Sequence, residues 1–532
     1  MKKHILIILL VYSGLIFTLQ SCSDFLETEP ESFLEPEDYY KTEEQLFTAL
    51  IGVHNTLSDT RDSSPLYGGD YIHQMGTEGE LGYYRHTPQR NIISQFLYNP
   101  SAPSLSNVWD RLYQGINHAN YLLESIDNAE MDNEVNRDIF RGEALFLRSY
   151  FYFMLTSHFG DVPLVLKATR TAEEARELVP QSKSSIIYQQ IIEDMEKAFD
   201  LVQTASKLGY GGRINKSAVA GILARVNLHW AGYPNNEVSR YIEAKKWAAT
   251  VMNPSLVGTQ HALNPSYEQV FINYAQDTYD VSESIWEVEF FGNRTDHPRQ
   301  AGTVGNYNGI RSSAASGIGN ANGNIRATAT LFFMYEDGDL RRDWAIAPFD
   351  YNDDGSKEYR TDNETQIWGR YAGKYRREYE LVLPKTSFTP INFPMLRYSD
   401  VLLMFAEAEN YLNGPTEEAI NAVNRVRARA QAPLLEGANL PVDQTEFFLF
   451  LKEERARELC FECLRRGDLI RWNDYVESIE AMVSTYEYST TVSAATKTLI
   501  VNLKNVAPKH MLWPIPTKEL MLNSLLVQNE GW

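Results

Sequence analysis

The sequence predicts a mainly α-helical chain with few short strands, and three observations carry that reading. Apolar residues recur at 3–4 spacing in several long segments, as on one buried face of a helix. Two pairs of such segments are joined by short Gly/Pro turns, "AGYPNN" after Trp230 and "NGP" after Leu412. Between the periodic segments lie long stretches with no period but many aromatic residues, at about 58–103, 292–327 and 345–395.

At the N-terminus, Met1 to His4 form a short basic head and Ile5 to Leu19 are almost wholly apolar. This is the pattern of a secretory signal, and the run is shorter than the roughly 20 residues of a spanning helix. The ending Leu19-Gln20-Ser21-Cys22 resembles the lipobox of bacterial lipoproteins: an aliphatic residue, then a small residue directly before cysteine. The resemblance implies a signal peptide over 1–21, cleavage before Cys22 and acylation of its thiol. Each buried CH₂ of an acyl chain contributes about 0.8 kcal/mol, and stable anchoring takes more than one chain. The acidic, Pro-containing residues that follow, to about Tyr40, read as an extended tether.

The mature chain is expected as one compact body with two regions, helical over 22–270 and continuing over 271–532. Leu46, Leu50, Val53 and Leu57 place a helix over 43–57. Val108, Leu112, Ile116 and Ala119 do the same over 105–126. "RDIFRGEALFLRSYFYFMLTSH" (137–158) is apolar nearly all round, the mark of a buried helix, and Gly160-Asp161 ends it. Helical hairpins are expected at 217–230 with 238–252, and at 399–412 with 417–430. They match the tetratricopeptide architecture but not its consensus residues. "SESIWEVEFF" (282–291) alternates imperfectly and is expected as a strand, with Trp286, like Trp109, in the core. The stretch 306–324 is rich in Gly, Asn, Ser and Ala and reads as mobile.

Charge excludes some functions. The formal net charge is −21, and removing the leader with Lys2 and Lys3 makes it −23. Such a chain lacks the Lys/Arg surface that phosphate neutralisation needs. Catalytic signatures are also missing. No G-x-S-x-G or H-E-x-x-H occurs, and "GIGNANG" (317–323) has Asn322 where a dinucleotide fingerprint needs Gly. Cys460 and Cys463 form C-x-x-C with no second ligand pair, inside what reads as a continuing helix. They are expected as buried core thiols. Asp350, Asn352 and Asp354 open a calcium-type loop, but Thr361 stands where the bidentate Glu belongs. A surface Asx turn is the stronger reading, and no cofactor is expected.

Five stretches together resemble the SusD/RagB family of surface lipoproteins. They are "CSDFLETEPESF", "FRGEALFLRSYFYFMLTSHFGDVPLVL" (140–166), "FPMLRYSDVLLMFAEAENYL" with "AINAVNRVRARA" (393–412 and 419–430), "EERARELCFECLRRGDLIRW" (453–472) and "LWPIPTKELMLNSLLVQNEGW" (512–532). The resemblance implies a SusD-like fold: mainly α, with tetratricopeptide-like helical hairpins and long irregular ligand-binding loops. It implies a non-catalytic protein, lipid-anchored in the outer membrane and facing the cell exterior. Such a protein captures an oligo- or polysaccharide and delivers it to a SusC-like, TonB-dependent barrel. Peptide capture is the alternative within the family, and a secreted glycoside hydrolase the alternative outside it.

The arginine-rich and Gly-Asp motifs read as fold elements rather than sites. Sugars have apolar C–H faces and polar rims, so a binding platform needs flat rings beside amide, carboxylate or guanidinium groups. Two loop stretches have that mixture: Tyr83, Tyr84 and Arg85 in one, Asn306 and Tyr307 in the other. Trp368 in "IWGRY" is a third candidate. Neighbours in an extended segment face opposite ways, so one of Tyr83 and Tyr84 is expected to be buried.

Overall fold

The computed structural model describes residues 39–58, 66–75, 77, 79–86, 93–295 and 300–532. The signal, Cys22 and the tether to Asp38 lie outside the described residues. Eleven helices organise the body: α1 (Glu43–Ser58), α2 (Pro103–Ser125), α3 (Glu134–Phe159), α4 (Ser184–Leu201), α5 (Lys216–Ala231), α6 (Arg240–Met252), α7 (Tyr398–Asn413), α8 (Glu417–Arg429), α9 (Gln444–Leu459), α10 (Arg465–Arg471) and α11 (Tyr475–Glu487). Every periodic segment of the sequence is a helix here, with ends displaced by only a few residues.

The caps explain those ends. The Asn133 side chain accepts from the Val135 amide and opens α3, and Gly160 closes it at φ 75°. Asn215 and Thr416 cap α5 and α8 in the same way, accepting from the amides of Ala218 and Ala419. The nearly uniform apolarity of α3 has a packing cause. It lies between α2 on one side and α4 on the other, with α1 across it. Gly115 of α2 permits the closest approach: a Cβ there would come within 2.6 Å of both the Phe151 ring and the Thr56 methyl. The hairpins α5–α6 and α7–α8 are antiparallel neighbours, and α6 packs on α7, so the two pairs stack into one helical layer.

Besides a two-residue pair, Val162–Pro163 with Gln181–Ser182, six short strands complete the fold among the described residues: β1 (Gly82–Tyr84), β2 (Ser284–Val288), β3 (Ile325–Ala327), β4 (Phe349–Tyr351), β5 (Lys357–Tyr359) and β6 (Phe393–Arg397). They pair antiparallel as β1–β3, β2–β6 and β4–β5. The β2–β6 ribbon is buried at every position of both strands. Trp286 meets Phe146 and Tyr150 of α3 edge-on, at 5.1 and 4.8 Å between centroids. A strand covered on both faces has no solvent side to keep polar, which is why its alternation is imperfect.

The motif 453–472 forms the polar heart of the molecule. Glu454, Arg455, Glu458, Glu462, Arg466, Asp468 and Arg471 are all buried. Arg397 donates to Glu458 at 2.9 Å, to Glu283 at 3.0 Å and to Glu462 at 2.8 and 2.9 Å. Arg341 reaches Glu454 at 2.7 Å and Glu458 at 3.2 Å. A second set joins Arg455 to Asp400 and Asp468, and Arg471 to Asp468. These arginines are fold elements, as the sequence suggested.

One helix prediction is corrected here. The helix does not continue through the C-x-x-C: α9 ends at Leu459, and Phe461 and Cys463 adopt positive φ before α10 begins. The break turns Glu462 inward, where its carboxylate meets Lys374 and Arg397. Both thiols are free, Cys460 buried and Cys463 partly so, and burial pushes both pKa values up, so neither is an activated thiolate.

Candidate ligand-binding face

The two aromatic loop stretches, more than 200 residues apart in sequence, meet in space. Pairing of β1 with β3 sets Tyr83 opposite Arg326 and Tyr84 opposite Ile325. Beyond the strand the Arg85 amide donates to the Asn324 carbonyl at 3.0 Å. The Asn324 amide in turn donates to the Tyr307 carbonyl at 2.8 Å. The segment 322–324 thus ties the Tyr84-Arg85 strip to the Asn306-Tyr307 turn.

A residue that sequence reasoning missed sits at the junction. The His73 ring lies 4.8 Å from the Tyr84 ring and 5.1 Å from the Tyr307 ring, so one imidazole joins both phenols. Burial, then the positive potential of His86, holds the His73 pKa down at about 4. The ring is therefore neutral at neutral pH and acts as a packing surface. A lone His in an aperiodic stretch carries no sequence signal for this.

The candidate residues divide by placement. Tyr83 and Trp368 are each 1 % exposed. Their rings pack at 5.5 Å, and the Tyr83 hydroxyl donates to the Trp368 carbonyl. Trp368 also meets Tyr486 edge-on at 4.9 Å. Both rings lie beneath the surface, which corrects the expectation of an open platform at these two positions. Tyr84 is buried between His73 and His86, with ring centroids at 4.8 and 5.4 Å. The two neighbouring tyrosines do face opposite ways, yet both are covered. Arg85 and Tyr307 are partly exposed.

Asn306 is buried and holds the turn together. Its amide nitrogen donates to the carbonyls of Asn320 and Ser387, at 3.2 and 2.5 Å, and its oxygen accepts from the Asn322 amide at 3.0 Å. The stretch 306–324, read from sequence as mobile, is thereby pinned. Ser312 and Ala321 exchange backbone hydrogen bonds at 3.2 and 3.0 Å, and a Cβ on Gly323 would fall 2.7 Å from the Arg311 nitrogen. Asparagine amides do here what apolar side chains do elsewhere, so a stretch poor in aromatics is still ordered.

The calcium-type sequence forms the β4–β5 hairpin turn. Asp350 pairs with Arg360, and an Asp354 oxygen accepts from the Ser356 amide and hydroxyl at 2.9 and 2.6 Å. The carboxylates therefore do not converge, and Asn352 bonds Ser356 rather than a shared centre. Among the described residues no cluster of three or more His, Cys, Asp or Glu could hold a metal. Two grooves among the described residues lie elsewhere. One of about 640 Å³ runs beside Trp109, Tyr113, Asn117, Lys167 and Glu519. Another, of about 610 Å³, opens where Tyr40 stacks on Tyr121. Among the described residues no helix is long and apolar enough to cross a membrane.

Comparison with known proteins places this geometry in a family. Residues 350–532 match the model of the SusD family, and residues 24–228 match a model described as starch-binding associating with outer membrane. A SusD-like protein, P25, of Formosa agariphila is 26 % identical over 565 residues, covering 98 % of each chain. A crystal structure of a SusD homolog from Bacteroides thetaiotaomicron superimposes with a TM-score of 0.83 at 27 % identity. That match covers 94 % of this chain and 98 % of the other. A laminarin-binding SusD-like protein shares the fold at a TM-score of 0.72 and 21 % identity, covering 93 % of this chain and 100 % of its own. With two family models spanning most of its length and a helical body that superimposes on a SusD homolog, the chain belongs to the SusD family.

Proposed function

We propose that this protein is a non-catalytic, lipid-anchored outer-membrane protein that captures an oligo- or polysaccharide outside the cell. It passes the glycan to a SusC-like, TonB-dependent barrel. The observation that carries the ligand site is the convergence of Tyr84 and Tyr307 on His73, with Arg85, the next residue after Tyr84, tied through the 322–324 segment to the Tyr307 turn. Tyr307 supplies the stacking ring and Arg85 a polar rim. Tyr83, Trp368 and Asn306 hold those two in place from below. Laminarin binding by a protein of the same fold supports the glycan reading.

Affinity electrophoresis in gels carrying soluble polysaccharides tests it. Retardation by at least one polysaccharide, without release of reducing ends, is expected. Retention of peptides in place of polysaccharides, or polysaccharide breakdown, would overturn it. Tyr307→Ala is expected to weaken the retained glycan about 5- to 150-fold, by analogy with roughly 1–3 kcal/mol for a stacked base, while leaving the melting temperature unchanged. An unaltered affinity would remove Tyr307 from the site.

The anchor has its own test. Cys22→Ala is expected to abolish labelling by a radioactive fatty acid and to release the protein from membranes. Persistent acylation of that variant would reject the lipoprotein reading.

A further inference from the structure

Three arginines gather at this face in a chain whose net charge is −21. Arg85 follows β1, and its Nη2 donates to the Asn322 carbonyl at 3.0 Å. Arg326 stands in β3, with its guanidinium carbon 5.2 Å from the centre of the Tyr371 ring. Arg311 lies with its backbone against Gly323, close enough that a Cβ there would touch its Cβ at 2.8 Å. Residues 322–326 thus hold all three, drawn from three separate stretches of chain. Arg311 is exposed, and the other two are partly so.

None of the three is ion-paired with a described carboxylate, although Asp and Glu outnumber Lys and Arg by 70 to 49. In the buried polar heart of the molecule the arginines are met by acids: Arg341, Arg397, Arg429, Arg455 and Arg471 each have at least two. The Nε atoms of Arg85 and Arg326 are buried without a hydrogen-bond acceptor, as is that of the acid-paired Arg429, and the Tyr83 and Tyr371 hydroxyls, against the effect of burial, hold the Arg326 pKa up. Burial, and after it the like charge of Arg326 and Arg311, pushes the Arg85 pKa down, as a missing counter-charge would. The sequence carries a matching signal. From residue 300 to residue 335 the only charged side chains are Arg311 and Arg326.

Like charges brought together without acids cost free energy unless a ligand supplies the counter-charge. Guanidinium groups recognise carboxylate, sulfate and phosphate through paired N–H donors. We infer that the captured glycan is anionic, and that Arg85, Arg311 and Arg326 form the subsite for its negatively charged group, a uronate carboxylate or a sulfate ester. This rests on the glycan-capture reading and narrows it: Tyr307 takes the sugar face, and the arginines select for charge.

The test uses the full mature chain in affinity gels of polygalacturonate (carboxylate only), carrageenan (sulfate ester only), and laminarin and dextran (both neutral). Retardation by polygalacturonate or carrageenan is expected, the responding gel identifying which anion is read, with at least tenfold weakening in 0.5 M NaCl. Arg311→Glu, at an exposed position where folding is not at risk, should cost a further tenfold or more at low salt. Arg311→Lys should retain most of the binding. Retention by laminarin or dextran alone, equal in Arg311→Glu and the parent, would overturn the anionic assignment while leaving glycan capture intact. Retention by none of the four would overturn both.

Discussion

Glu458→Gln is expected to destabilise the protein by about 3–5 kcal/mol, the cost of removing one partner from a buried charge network. Glu458 is fully buried and carries the counter-charge for three guanidiniums: Arg397 at 2.9 Å, Arg429 at 2.6 Å and Arg341 at 3.2 Å. The amide keeps the shape but removes the charge, so three cations remain out of water with one fewer anion. Glu453→Gln is the control. Glu453 meets Arg457 at 2.6 Å but is 53 % exposed, and such pairs contribute less than about 1 kcal/mol. Urea denaturation of both variants decides the matter: equal midpoints would show that the network contributes nothing beyond packing. The same network makes the protein acid-sensitive. The surrounding arginines hold the Glu454 pKa at about 2 and that of Glu458 lower still, against the desolvation that opposes them. Carboxyls depressed in the folded state contribute stability that is present above the unfolded value of 4.5. It is lost as pH falls toward the folded values.

Glu287→Gln is expected to act in the opposite direction. Glu287 is buried in β2 with no cationic partner, its oxygen accepting from the Ser284 hydroxyl at 3.1 Å. Burial, then the negative charge of Glu289, pushes its pKa up to about 8, and Asp277 adds to the rise. Between pH 4.5 and 8 the unfolded chain has released this proton while the folded one keeps it. The folded state therefore binds more protons, and its stability falls as pH rises across that window. The shift corresponds to roughly 4–5 kcal/mol over the whole range. Gln retains the acceptor and has nothing to titrate. The variant should match the parent near pH 5 and exceed it by a few kcal/mol at pH 8, measured by denaturant unfolding at both values. Parallel stability profiles from pH 5 to pH 8 would reject a neutral Glu287.

Much of the architecture was legible in the sequence because helix formation is local. The 3–4 spacing of Leu46, Leu50 and Val53, the Asn133 cap and the Gly160 stop all act within a few residues of where they stand. The core placement of Trp109 was legible for the same reason, since it sits on a periodic helix face, and that of Trp286 because it stands in an apolar strand segment. The break at Cys460–Cys463 was not. It exists because Glu462 must turn inward to Lys374 and Arg397, residues 88 and 65 positions away.

By itself, the sequence determined the helical class, the helical hairpins and the family. Each is written in short-range periodicity or in motifs whose residues build the fold. Only the tertiary structure decided which candidate residues face outward. Tyr83 and Tyr84 are chemically identical neighbours, and their covers, Trp368 and His73, come from different parts of the chain. It also decided that Arg85, Arg311 and Arg326 are gathered at the 322–326 segment. A ring's exposure and an arginine's lack of a counter-charge are sums over contacts hundreds of residues apart, and local sequence holds no record of them.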